Sequence, residues 1–102
     1  MVGLDIIRIE TNLPLQCFRG DGGNWIAICE PLRITVQSET WAELMEDVAD
    51  SVDALFQELL STNELPRFLG DHGWQLDSPI PSQHGAIRFD VPFLPQIMGV
   101  PA

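Results

Sequence analysis

Between Trp41 and Leu60 the apolar residues return every three or four positions, at Trp41, Leu44, Met45, Val48, Val52, Leu55, Phe56 and Leu59. That is the 3.6-residue period of a helix with one buried stripe. Its start is marked by Thr40-Trp41-Ala42-Glu43, a capping box in which the Thr40 hydroxyl takes the amide of Glu43 and the Glu43 carboxylate reaches back. Upstream the pattern shortens to that of strands. Residues 2–10 carry Leu4, Ile6, Ile7 and Ile9 among charges, and their β-branched content favours a strand. Residues 13–19 and 24–30 predict a hairpin closed by Gly20-Asp21-Gly22-Gly23. A register that sets Phe18 opposite Ile26 puts Phe18, Ile26 and Ile28 on one face and Leu15, Cys17, Trp25, Ala27 and Cys29 on the other. Both faces are then largely apolar, so one needs the helix and the other needs a second cover. Another short β-like run follows at residues 33–37.

Beyond residue 63 the character changes, because six of the eight prolines lie there. Residues 65–76 predict a connector holding Phe68 and Leu69, a Gly70-Asp71-His72-Gly73 turn and a short strand at Trp74-Gln75-Leu76. Ser78-Pro79-Ile80-Pro81-Ser82 predicts a loop, and residues 86–91 alternate as a half-buried strand should. Pro92 and Pro95 are expected to end regular structure. The resulting expectation is an α+β fold: a three- to four-stranded, mostly antiparallel sheet packed on one long helix, with an extra C-terminal strand. Residues 1–77 form the expected domain and residues 78–102 a proline-rich segment with one strand. A chain of 102 residues suffices for one modest core.

Charge narrows the partners. Fifteen Asp and Glu stand against five basic residues, all Arg, for a formal charge of −10. Phosphate binding rests on clustered Lys and Arg, so direct nucleic-acid binding is not expected. No apolar run approaches the roughly 18 residues that span a bilayer, and Asp5 and Glu10 interrupt the first stretch where a signal peptide would be apolar. No membrane partner is expected, and the expected compartment is the cytoplasm. Two cysteines are too few for a disulfide scaffold in a chain with its own core.

Candidate chemistry is sparse. Cys17 and Cys29 come near each other across the hairpin but lack a third and fourth ligand, so they read as small buried hydrophobes. The Gly20–Gly23 loop has no Lys, no second acidic ligand and no following helix, which leaves a turn. His72 and His84 sit in separate turn-like contexts. No metal, no cofactor and no catalytic residue is assigned. The helix face opposite the apolar stripe carries Glu43, Glu46, Asp47, Asp50 and Asp53, with Glu39 before the cap and no basic residue between Arg33 and Arg67. Like charges one turn apart, as at Glu43 and Asp47 or Glu46 and Asp50, each cost about 0.2–0.5 kcal/mol. Such a face is either solvated surface or a docking surface for a basic partner, and these five acids are the candidate partner-binding residues.

The order of motifs is similar to that of the HicB family of antitoxins, whose domain is a truncated ribonuclease H-like fold. Trp25-Ile26-Ala27 follows a Gly-rich hairpin turn, a short strand ends in Thr35-Val36-Gln37, Ser38 to Glu43 open the helix as Ser-Glu-Thr-x-x-Glu, and an acidic helix leads to Phe68-Leu69 and Gly73-Trp74. The resemblance implies a module that binds and masks a small basic RNA-cleaving toxin. It departs from the family's pattern at residues 64–102, which show no second amphipathic helix and only Arg67 and Arg88, so a C-terminal DNA-binding segment is not expected. Pro31-Leu32-Arg33 also replaces the Pro-Gly-Cys style turn of many relatives. Ribonuclease activity is not implied, since that chemistry needs several carboxylates converging on divalent metal and the hairpin strands offer only Glu30. The expected function is thus a non-enzymatic, antitoxin-type protein-binding module. The alternative is a stand-alone structural or regulatory domain of the same fold that self-associates, with a homodimer as the expected assembly because a small chain with two apolar sheet faces tends to cover one with its own copy.

Overall fold

The computed structural model describes residues 4–80 and 86–98. His84, Pro81 and Ser82 of the expected loop, and the ends of the chain lie outside the described residues. The fold is α+β, and the described residues form seven strands and two helices: β1 Leu4–Glu10, β2 Leu13–Arg19, β3 Trp25–Cys29, β4 Ile34–Ser38, α1 Trp41–Ser61, α2 Leu65–His72, β5 Gln75–Leu76, β6 Ala86–Asp90 and β7 Phe93–Ile97. The chain divides into two compact units. One comprises residues 1–11 and 52–92, the other residues 12–51 and 93–102. Of the strands beyond residue 78, β6 belongs to the first unit and β7 to the second.

The first unit is built on a three-stranded sheet of order β5-β1-β6. β1 pairs with β5 antiparallel and with β6 parallel, Ile7 lying beside Phe89. Alternation along β1 buries Ile7 and Ile9 and exposes Arg8 and Glu10, while β6 buries Ile87 and Phe89. Onto these fold the apolar positions of the second half of α1, Val52 and Phe56, together with Leu65 and Leu69 of α2. Phe56 meets both Phe89 and Phe68 edge-on, at centroid distances of 5.6 and 5.8 Å, a geometry that aligns ring edges with ring faces.

Where a connector was expected, residues 65–72 form α2. The segment carries Pro66 and Gly70, both poor in helix interiors, but Pro66 lies in the first turn, where a missing N–H costs nothing. Gly73 closes the helix in the left-handed conformation, φ 69°, and Trp74 N–H returns to the Leu69 carbonyl at 2.9 Å, the wide closing bond of a Schellman cap. Burial of Leu65 and Leu69, one turn apart, then holds eight residues that propensity alone would not.

The second unit is a four-stranded sheet of order β4-β3-β2-β7. The hairpin register is the expected one, Phe18 opposite Ile26. Its turn closes with the Gly20 N–H on the Asn24 carbonyl at 2.8 Å, and only Gly23, at φ 82°, uses the positive φ that glycine permits. A single 3-10 turn over Glu30–Leu32 follows, and Arg33 takes the left-handed conformation, φ 56°, to enter β4. The inner face buries Leu13, Leu15, Cys17, Ala27 and Cys29 with Leu44 and Val48 from the first half of α1. Trp25 sits at the margin, edge-on to Trp41 at 5.0 Å, with the Arg19 guanidinium 5.1 Å from its ring centre. The other face is less covered: Phe18, Ile26 and Ile28 are half-buried and Leu94 is 54% exposed.

Pro92 does end β6, but Pro95 lies inside β7, which pairs parallel with β2. The ladder shows why it is tolerated. Met98 N–H donates to the Cys17 carbonyl at 2.7 Å. Backbone groups alternate sides along a strand, so Leu94, Gln96 and Met98 turn theirs toward β2 and Pro95 turns its nitrogen to the free edge. A proline there forfeits no ladder bond.

Candidate partner-binding surface

The five acids singled out on α1 do not form one equivalent set. Glu43, Glu46, Asp47 and Asp50 belong to the second unit and Asp53 to the first. Glu43 stands in the first turn, where its N–H donates to the Thr40 hydroxyl at 3.1 Å; the Leu44 N–H donates to the Thr40 carbonyl at 2.9 Å, so Thr40 caps α1 as expected. A carboxylate in that turn also complements the helix dipole. Glu43, Glu46 and Asp50 are exposed, and their spacing of three and four residues keeps them on one helical face.

Asp47, though exposed as a residue, is tied down. It accepts a hydrogen bond of 2.5 Å from the hydroxyl of Ser38, a buried polar residue at the end of β4. A charged acceptor makes such a bond short and about twice as strong as a neutral one. This carboxylate secures the helix start to the sheet.

Asp53 departs furthest from the expectation that the helix acids point outward. Its side chain is only 16% exposed. One carboxylate oxygen accepts the Phe89 N–H at 2.8 Å and the Gln57 amide at 3.2 Å, and the other lies 3.5 Å from Arg88. The Gln57 amide also donates to the Ile87 carbonyl. Ile87 and Phe89 turn those groups to the side of β6 that no strand occupies among the described residues, so Asp53 and Gln57, one turn apart, take the place of a neighbour there. The helical stripe could not reveal this, because the contact is made to a strand more than thirty residues later.

The remaining candidates resolve into structure. Cys17 and Cys29 are free and buried, and burial raises both thiols above the ordinary range, offset at Cys29 by a backbone hydrogen bond at Leu32. Buried thiols with raised pKa are poor nucleophiles. His72 is stacked between Phe68 and Trp74, at 4.3 and 4.5 Å, and its Nδ1 lies 2.9 Å from the Phe68 carbonyl. Glu30 is exposed on the rim of an open hollow lined by Pro14, Gln16, Ile28 and Pro31. Among the described residues no three His, Cys, Asp or Glu side chains come together as a metal site would require, and no helix is long and apolar enough to cross a membrane.

What the surface offers chemically is therefore a strip of exposed carboxylates at the start of α1, Glu39, Glu43 and Glu46. No family model, no curated protein and no solved structure matches this chain.

Proposed function

We propose that this chain is a non-catalytic protein-binding module of antitoxin type, which masks a small basic RNA-cleaving partner. The observation that carries the reading is the exposed acidic face of α1, where Glu43, Glu46 and Asp50 lie one turn apart in a stretch without basic residues. The mechanism is occlusion: carboxylates pair with the Arg and Lys that the partner would otherwise place on RNA phosphates, and the long-range field speeds the encounter. The test is a direct one. A basic protein of under about 100 residues encoded beside this chain should bind it at low salt and lose its RNA cleavage in the complex. Failure of every such neighbour to bind at low salt removes the reading.

A second reading, a stand-alone self-associating domain of the same fold, draws on the outer sheet face, where half-buried Phe18, Ile26 and Ile28 adjoin exposed Leu94. Apolar surface of that kind is what a second copy covers in small dimers.

A further inference from the structure

The sheet edges are not treated alike. The free side of β6 is closed by Asp53 and Gln57, the free side of β7 carries Pro95, and β5 is two residues long. Those are the ordinary ways of keeping an edge from pairing. β4, the remaining edge, has none of them: Ile34-Thr35-Val36-Gln37-Ser38 holds no charge, no proline and no glycine. No backbone partner lies on its outer side among the described residues.

The register fixes what that edge presents. Gly20 N–H bonds to the Asn24 carbonyl, so the even-numbered residues of β2 and β3 turn their backbone groups toward each other. Ala27 then turns toward β4, where its partner is Val36. Ile34, Val36 and Ser38 consequently face β3, while Thr35 and Gln37 turn N–H and C=O outward. Both are exposed.

We propose that β4 is a self-pairing edge, through which two copies of this chain join antiparallel about a two-fold axis at Val36. In that register Thr35 faces the partner's Gln37, and the two residues exchange both backbone hydrogen bonds. The two-fold repeats them, which satisfies all four outward groups. Val36 packs against the partner's Val36 in the closer, non-hydrogen-bonded position. Three residues further on, Arg33 comes opposite the partner's Glu39 at both ends. Arg33 and Glu39 are exposed and make no ion pair among the described residues. The segment from Arg33 to Glu39 is thus positive at one end, negative at the other and neutral between, which complements itself only when antiparallel. In a chain of net charge −10, an uncharged strip closed by two ion pairs is where a second copy meets least repulsion. A strand edge covers less than the roughly 800 Å² per partner of a standard interface, which places the dimer in the weak, micromolar class. The pairing needs no toxin-type partner and stands apart from the masking role.

The experiment is sedimentation equilibrium at about 5–300 µM, a range that spans micromolar dissociation constants. The natural sequence should show a monomer–dimer equilibrium. R33E and E39R, each of which sets like charges together at both ends, should raise the dissociation constant about tenfold or more, and R33E/E39R should return it to within about threefold of the original. Circular dichroism checks that each variant folds. Independently of any substitution, amide exchange in the unaltered chain should slow with concentration at Thr35 and Gln37 and stay unchanged at Val36. A chain that is monomeric throughout, a dimer indifferent to the single reversals, a double reversal that does not recover, or exchange at Thr35 and Gln37 independent of concentration would each overturn the proposal.

Discussion

β6 and β4 are both five-residue edge strands, and the difference between them shows how one helix can serve two purposes. In the first unit α1 gives a carboxylate and an amide to the outer side of β6, and that edge is finished within the chain. In the second unit the polar side chains of α1 reach no further along β4 than Ser38 at its end, through Asp47. The rest of β4 keeps its hydrogen-bonding groups for something else. Acids on the two halves of the helix, indistinguishable by composition, thus do different work. Asp53 substitutes for a strand, whereas Glu43 and Glu46 remain in solvent.

The closed edge depends most on Asp53. D53A leaves the Phe89 N–H without its acceptor. Orphaning a buried donor costs about 1–3 kcal/mol. Thermal unfolding should therefore shift down by roughly 4–24 °C, given about 4–8 °C per kcal/mol for a domain of this size. D53N keeps an acceptor oxygen and should recover part of the loss. Exchange of the Phe89 amide, followed by NMR, should accelerate in D53A before amides of the four-stranded sheet do. A D53A variant as stable as the original would mean that the edge needs no cap, and the contrast between the two strands would lose its basis.

Much of this architecture was legible in the chain, and the exceptions have physical causes. The long helix, its Thr40 cap and the hairpin register were all readable because each rests on local pattern: a 3.6-residue stripe, a side chain three residues from its amide, a glycine turn between alternating strands. α2 was hidden because Pro66 and Gly70 lower helix propensity, although the same two residue types also mark helix ends, and tertiary burial of Leu65 and Leu69 decided the matter. β7 was hidden because Pro95 reads as a terminator unless one knows that its nitrogen faces outward. The parallel pairing of β1 with β6 and of β2 with β7 joins residues about eighty apart, and no local signal announces it. Among the candidate acids, exposure at Glu43 and Glu46 followed from periodicity, while the ties of Asp47 and Asp53 depended on strands that the helix pattern does not mention.

A pH titration separates the units in a second way. The chain contains no Lys and no Tyr, so between about pH 8.5 and 12 the titrating side chains are Cys17 and Cys29, both in the second unit. Burial raises their pKa in the folded chain. A raised folded value favours the neutral thiol, so its contribution is complete below the unfolded pKa and declines as pH rises from there toward the folded one. The expected slope is up to about 1.4 kcal/mol per pH unit for each thiol over that window. Denaturation followed through Trp25 and Trp41 should accordingly weaken above about pH 9, while Trp74 in the first unit reports little change. In C17A/C29A, compared with its own stability at pH 7, the alkaline decline should vanish; a decline of undiminished slope would assign it to something other than these thiols.

The smallest effect is expected where the helix acids are only solvated. Glu46 is exposed and sits one turn before Asp50, a like-charge spacing that costs about 0.2–0.5 kcal/mol in a helix. E46Q should thus leave stability unchanged or raise it within that range, a shift of at most about 4 °C. This is opposite in sign to D53A although both substitutions remove one negative charge from the same helix. Association with a basic partner should respond the other way. Exposed charges act mainly on encounter, so E46Q should slow the association rate at low salt, flatten its dependence on ionic strength and leave dissociation nearly unaltered. Stopped-flow binding at two or three salt concentrations reads all three quantities. A loss of stability in E46Q would show that Glu46 is tied down as Asp53 is, and an unchanged association rate with a verified partner would take the open acidic face out of the docking surface.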